Sequence, residues 1–269
     1  IHLWDTIKLT DMSRMFQGNK VFNQYISWDV SLVKDMSSMF KDTNFNQNID
    51  WWVTENVTSM SGMFENNSVY NQPMATQRTT RSYDGITRHR WHTTKVTDMS
   101  RMFKNAKAFN NKVGGWDTRN VKYMQEMFQG NKVFNQYIRD WDVSLVKDMS
   151  SMFKDTNFNQ RINWWVTENV TSMSGMFENN SVYNQPMATQ RTTLAHDGIT
   201  RHRWHTTKVT DMSRMFKNAK AFNNIVGGWD TRNVKYMQEM FRGASKFKYW
   251  IRTETDNTYG FKPFGWMTL

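Results

Sequence analysis

A methionine-phenylalanine pair recurs along the chain at Met15-Phe16, Met39-Phe40, Met63-Phe64, Met102-Phe103, Met127-Phe128, Met152-Phe153, Met176-Phe177, Met215-Phe216 and Met240-Phe241, in steps of 24, 24, 39, 25, 25, 24, 39 and 25 residues. A second methionine stands three residues before each pair, from Met12 to Met237, which accounts for 18 of the 21 methionines. A tryptophan precedes each unit: Trp4, Trp28, Trp51, Trp91, Trp116, Trp141, Trp164, Trp204 and Trp229. An aromatic closes each one: Phe22, Phe45, Tyr70, Phe109, Phe134, Phe158, Tyr183, Phe222 and Phe247. A fixed period of this kind marks a repeat architecture, in which one turn cannot bury its apolar face alone and neighbours must stack.

A longer repeat lies above the short one. Residues 28–130 return at 141–243 with seven changes: Asn48/Arg161, Asp50/Asn163, Arg81/Leu194, Ser82/Ala195, Tyr83/His196, Lys112/Ile225 and Gln129/Arg242. Four turns therefore form a cassette present twice. Composition agrees with regular spacing of apolar side chains: 13 Trp and 18 Phe accompany a mean hydropathy of −0.76.

Within one turn, "DMSRMFKNAKAF" places Met99, Met102, Phe103 and Ala106 at i, i+3, i+4 and i+7, the spacing of one helix face. Thr97 or Asp98 then serves as its N-cap. The following "FNQYISW" and "FNQNIDW" segments alternate apolar and polar residues, as a short strand does. These features predict an α/β repeat solenoid, leucine-rich-repeat-like, of nine stacked turns of 24–25 residues. Each turn holds a short strand and a short helix, and the solenoid forms a single domain over 1–251. The recurring Asn-Gln pairs, such as Asn23-Gln24, Asn46-Gln47 and Asn135-Gln136, are expected to form a polar ladder at one corner.

The pattern W-D-x-S/T-x-V-T/K-D-M-S-x-M-F followed by F-N-Q-x-I, carried most clearly by residues 4–16, 28–40 and 116–128, resembles the BspA-like leucine-rich-repeat surface proteins. The resemblance extends over about residues 1–251. It implies a non-enzymatic adhesion or interaction role on a cell surface, outside the cell, or in the particle of a large DNA virus. No export signal or wall anchor is visible in these residues, which keeps a virion or other large assembly open as the setting.

The period breaks at two insertions, "ATQRTTRSYDGITRHR" at 75–90 and "ATQRTTLAHDGITRHR" at 188–203. Each holds an Asp-Gly pair (Asp84-Gly85 and Asp197-Gly198) between Thr/Arg-rich flanks, which predicts a projecting hairpin arm. Together the arms hold +5 of the chain's +11 net charge. The aspartate that follows the tryptophan elsewhere is replaced beside each arm by Trp52 and His92, and by Trp165 and His205. An exposed tryptophan beside an arginine arm is the makeup of a binding hot spot. The candidate binding residues are thus Trp52, Arg78, Arg81, Arg88, Arg90 and His92 in the first copy, with Trp165, Arg191, Arg201, Arg203 and His205 in the second. The plainer alternative is a tolerated loop over a packed tryptophan.

Other chemistry is weaker. Met-x-x-Met resembles copper(I) stretches, but it lies on the apolar face and reads as core. His89 with His92, and His202 with His205, have ligand spacing without further ligands, so no metal or other cofactor is expected. Asn56, Asn66, Asn169 and Asn179 match the glycosylation pattern, yet they belong to the repeat turn itself. Every candidate acid, base or nucleophile is a repeat position or part of a duplicated arm, which points away from an enzyme.

Two function classes remain. One is an interaction module binding proteins or surface glycans through its long face and arms. The other is a polyanion or nucleic-acid binder using the same arginines; that class wants free aromatics or a continuous basic groove, which this chain commits to its core. The chain opens at Ile1 on a strand-like segment, and this end is expected to dock on a neighbouring subunit or on further sequence. Residues 252–269 are expected to act as a C-terminal cap or partner-binding tail.

Overall fold

In the computed structural model, which describes residues 4–75, 77–80, 87–193, 200–226 and 228–248, successive windings of the chain lie on one another. One parallel backbone bridge joins each winding to the next, running Asp11, Asp35, Ser59, Asp98, Tyr123, Asp148, Ser172, Asp211, Tyr236. The expected α/β solenoid with a strand and a helix in every turn is not what forms. Among the described residues there is no helix, and the only strands are four of four residues each, all in the insertions. The windings themselves are irregular chain.

The backbone shows why the helix fails. Each winding has two left-handed residues four positions apart. They are Arg14 (φ 58°) and Gly18 (φ 78°) in the first, and Arg101 (φ 57°) and Asn105 (φ 56°) in the fourth. A left-handed L-residue costs roughly 1–2 kcal/mol and cannot continue a right-handed helix. That cost is offset by where the amides go. Alternate N–H groups donate sideways: Met12 to Asp35 O (2.9 Å), Arg14 to Ser37 O (2.8 Å), Phe16 to Met39 O (3.0 Å) and Gly18 to Lys41 O (2.9 Å). The residues between them close local turns, with Gln17 N–H on Arg14 O (3.0 Å) and Asn19 N–H on Phe16 O (2.9 Å). The same bonds recur at each step from one winding to the next. An isolated helix this short would be marginal and would leave orphan donors and acceptors at both ends.

Met99, Met102, Phe103 and Ala106 are all buried, as a helix face would require, but consecutive tight turns bring them inward. Asp98 does not cap a helix. Its carboxylate accepts the Ser100 N–H at 2.8 Å, an Asx-type turn repeated at Asp11, Asp35, Asp148 and Asp211. The "FNQYISW" segments are likewise not strands; an asparagine ladder orders them. Asn23 Oδ1 accepts the Asn46 N–H (2.8 Å), Asn46 Oδ1 accepts the Asn71 N–H (3.0 Å), and the relay continues through Asn110, Asn135, Asn159, Asn184 and Asn223.

Aromatic columns fill the core. Phe16, Phe40, Phe64, Phe103, Phe128, Phe153, Phe177, Phe216 and Phe241 form one column, with centroids 5.3–5.9 Å apart where neighbours stack. This is offset stacking, the geometry favoured by ring quadrupoles. Within each winding the closing aromatic lies nearly face to face with that phenylalanine, as in Phe103–Phe109 at 3.8 Å. The tryptophans form a third column. The methionines pack around these rings, buried from Met12 to Met240 apart from the partly buried Met15 and Met237.

The two insertions are antiparallel ribbons. Strand β1 (Gln77–Thr80) pairs β2 (Thr87–Arg90), with Gln77 opposite Arg90 and Thr80 opposite Thr87. Strand β3 (Gln190–Thr193) pairs β4 (Thr200–Arg203) in the identical register. The Asp-Gly pairs at 84–85 and 197–198, expected to turn each arm, lie outside the described residues, as do residues 1–3 and the tail at 252–269.

Candidate functional site

The arms root in the tryptophan column. Trp91 and Trp204, directly after β2 and β4, are fully buried and left-handed (φ 47° and 49°), so the chain turns sharply from ribbon into winding. Their indole N–H groups donate to Ile49 O (2.8 Å) and Ile162 O (3.0 Å).

The tryptophans nominated for binding sit elsewhere than expected. Trp52 and Trp165 are fully buried and continue the column, stacking on Trp91 and Trp204 at 6.4 Å in both cases. They are not exposed beside the arms. The register of the Trp-Trp doublet is one residue later than the repeat suggested: the second tryptophan enters the column, while Trp51 packs half-buried at the core's edge and Trp164 lies exposed. The residue following the column tryptophan is then Val53 or Val166.

Arg78, Arg88 and Arg90 lie on the first ribbon, opposite His89, Thr79 and Gln77; Arg191 and Arg201 lie on the second, opposite His202 and Thr192. Of these arginines the backbone positions are described and the side chains are not. Arg81 lies outside the described residues. His92 and His205 are half-buried at the arm bases. The His92 imidazole contacts Thr94 Oγ1 (3.1 Å), which donates to the Asp117 carboxylate (3.0 Å). His205 makes the matching contact with Thr207 Oγ1 (2.9 Å). Nearby, hydrogen bonds from Arg232 hold the Asp230 carboxyl at about 2, against the opposing effect of burial. No three metal-ligating side chains converge among the described residues.

One cluster escaped sequence reading. The Arg203 guanidinium carbon lies 3.3 Å from the Trp164 ring centroid, and that of Arg139 lies 4.2 Å from it. Arg203 is buried and its backbone bridges Val166, which pins the base of the second arm to the winding below. Trp164 remains 42% exposed. Burial first, then the charge of Arg139, lowers the pKa of Arg203 from its ordinary value. The available signal was the doublet itself, together with the junction before each cassette: Ile26-Ser27-Trp28 in one place and Ile138-Arg139-Asp140-Trp141 in the other.

The four glycosylation-pattern asparagines all have structural work. Asn56 and Asn169 donate to Ser31 O and Ser144 O (2.7 Å each) while accepting from Lys95 and Lys208. Asn66 and Asn179 donate to Asp42 and Asp155 (2.8 Å each) and accept from Asn105 and Asn218. No helix among the described residues is long and apolar enough to cross a membrane.

No curated protein matches this chain, and neither does any solved structure. The family described as "Mycoplasma protein of unknown function, DUF285" matches residues 1–88, 77–190 and 187–258, which together take in nearly all of the sequence. With its winding repeated through the described residues of that match, the chain belongs to the DUF285 family of repeat proteins.

Proposed function

We propose that this protein is a non-enzymatic interaction module of the BspA-like kind, binding a protein or surface glycan through the ladder face and its two arms. The setting is a cell surface, the extracellular space or the particle of a large virus. The observation that carries the reading is the duplication of the arms. Both ribbons have the same pairing register and root on the same column, at Trp91 and Trp204. Trp116, Trp141 and Trp165 separate those roots, so the arms stand four windings apart. At about 4.8 Å per hydrogen-bonded step this is about 19 Å. Two equal contacts at fixed separation favour a ligand with repeated features, because the second contact forms at high effective concentration. Catalysis finds no support, since every acid, base and nucleophile of the ladder is a repeat position.

Binding of nucleic acid by the arginines is the second reading. Against it, the exposed lysine column Lys34, Lys122, Lys147, Lys235 is interrupted by Thr58, Thr97, Thr171 and Thr210, and most aromatic rings are buried in the columns. Such binding wants a continuous basic track and free aromatics.

The test compares the intact chain with two variants, each lacking one arm (75–90 or 188–203), on an array of surface glycans and extracellular proteins and on single-stranded DNA. Loss of either arm is expected to weaken array binding by about 10²–10⁴. Equal binding by the intact chain and both variants overturns the bivalent reading. DNA binding that falls steeply with added salt supports the second reading instead.

A further inference from the structure

We infer that the asparagine face of the windings binds an uncharged, extended polysaccharide lying along the stack. Three positions around each closing aromatic reach solvent: one before it, one after it and three after it, as in Val21, Asn23 and Tyr25 or Val133, Asn135 and Tyr137. Over the first eight windings they make 24 positions, all exposed or half-exposed, of which 11 are asparagine and only Lys112 and Arg161 are charged. In a chain that is 22% charged with a net +11, so neutral a face offers little attraction to a polyanion and suits an uncharged partner. The ladder uses one end of each carboxamide and leaves the other. Asn46 Oδ1 accepts the Asn71 N–H (3.0 Å) and a Gln72 Nε2 N–H (3.1 Å), and Asn110 Oδ1 accepts from Asn135 N–H and Gln136 Nε2 at 3.0 Å each. The Nδ2 groups of the same ladder donate to no acceptor among the described residues. They make a row of donors about 4.8 Å apart. Each amide is already held by its bonded oxygen, so little rotamer freedom is lost when a ligand arrives.

An extended sugar chain matches such a row. Its hydroxyl and ring oxygens accept hydrogen bonds, and one ring of a β-1,4-linked chain spans a distance similar to one winding. Tyr25 and Tyr137, both 49% exposed, hold the same place in the first and fifth windings. Tyrosine gives a sugar ring a rigid amphipathic surface to lie on at low entropic cost. A protein partner fits this face less well, because its valines, alanines, prolines and isoleucine flank the asparagine column and form no continuous apolar centre. The inference rests on the interaction-module reading and narrows its ladder-face contact to one class of glycan; it does not depend on the arms.

The experiment is calorimetric titration of the intact chain with cellohexaose, chitohexaose, maltohexaose and a heparin hexasaccharide. Saturable binding of cellohexaose or chitohexaose is expected, with maltohexaose, whose α-linkages curve the chain, at least about tenfold weaker. Tyr137→Ala removes an exposed ring and is expected to weaken the tighter hexaose about tenfold. Asn135→Asp keeps an oxygen to accept the Asn159 N–H while removing the Nδ2 donors, and is expected to weaken it about threefold to tenfold. Unchanged Tm shows that the variants are folded, and Tyr137→Ala decides the matter if the ladder variant melts early. Variants lacking 75–90 or 188–203 are expected to bind the hexaose as the intact chain does, a result that upholds this inference even where the bivalent arms fail their own test. No saturable binding of either β-linked hexaose, equal binding of maltohexaose, preference for heparin, or a loss confined to the arm variants overturns the inference and leaves the arm reading standing.

Discussion

Trp51 and Trp164 occupy the same place in two copies of one cassette, yet their surroundings have different chemistry. Around Trp51 lie a tyrosine and an asparagine-closed turn, in which Asn48 Oδ1 accepts the Asp50 N–H at 2.8 Å. Against Trp164 lies the Arg139 guanidinium, supplied by the junction, and Arg161 offers no acceptor for that turn. Arg139 comes from outside the cassette, in a junction one residue longer, whereas Arg161 is a change within it. The difference reaches the core as well. Trp165 donates its indole N–H to Ile138 O (3.1 Å), whereas the buried Trp52 Nε1 has no partner among the described residues. A repeat fixes side-chain placement within a winding; the spacing between windings decides what each side chain meets.

The comparison breaks first if the two cores are unequal. Phe103→Ala and Phe216→Ala each remove a buried ring stacked on both neighbours, so each is expected to cost about 3–5 kcal/mol in denaturant unfolding, with the two values agreeing. A clear disagreement means that the copies do not share one cooperative core.

Glycines at the second left-handed position give a smaller effect. A Cβ on Gly130 would lie 2.1 Å from Asn105 Oδ1, and one on Gly243 would lie 2.2 Å from Asn218 Oδ1, while Gly18 faces open space. Gly130→Ala and Gly243→Ala are expected to cost about 2–3 kcal/mol, against about 1 kcal/mol for Gly18→Ala. Equal losses at all three would show that backbone strain alone sets the cost. Smaller again is the tryptophan contrast: Trp165→Phe gives up a hydrogen bond that Trp52→Phe does not, an extra loss of about 1 kcal/mol in thermal unfolding.

The smallest effect is electrostatic. In the second copy, hydrogen bonds from Lys217 and Arg242 hold the half-buried Glu239 carboxyl at about 2. Burial raises its counterpart Glu126, but the Lys104 and Arg101 contacts outweigh this and keep it below the ordinary range; Gln129 stands where Arg242 does. A depressed folded-state pKa contributes stability that is present above the ordinary glutamate value and lost as pH falls toward the folded one. Carboxyl NMR titration from pH 5 to pH 2 should therefore show Glu239 protonating after Glu126, and Arg242→Gln should erase the lag (roughly, on ordinary glutamate values).

Much of this was legible in the sequence, but unevenly. The Met, Phe and Trp periods identified which side chains face inward, and the Asn-Gln corner is a ladder as the spacing implied. Periodicity of burial does not reveal the route of the backbone, because a chain of tight turns buries i, i+3, i+4 and i+7 as a helix does. The clue lay at Gly18, Asn66, Asn105 and Gly130, a column of residues that tolerate left-handed backbone. The Trp-Trp doublets were misread by one position because both tryptophans satisfy the same pattern; in both copies the second one enters the column.

The sideways hydrogen bonds give the molecule a direction. Asp35 O receives the Met12 N–H, and the N–H of the same peptide unit, on Met36, passes to Ser59 O. Peptide groups are thereby strung in files along the stack, as they are along a helix but perpendicular to the chain. Most files point one way, with the file through Thr10, Lys34 and Thr58 opposing them. Aligned peptide dipoles of about 3.5 D add rather than cancel. Each winding is thus a tile with a donor side and an acceptor side. It fits the next tile in one orientation only, and it polarises the bonds on either side of it.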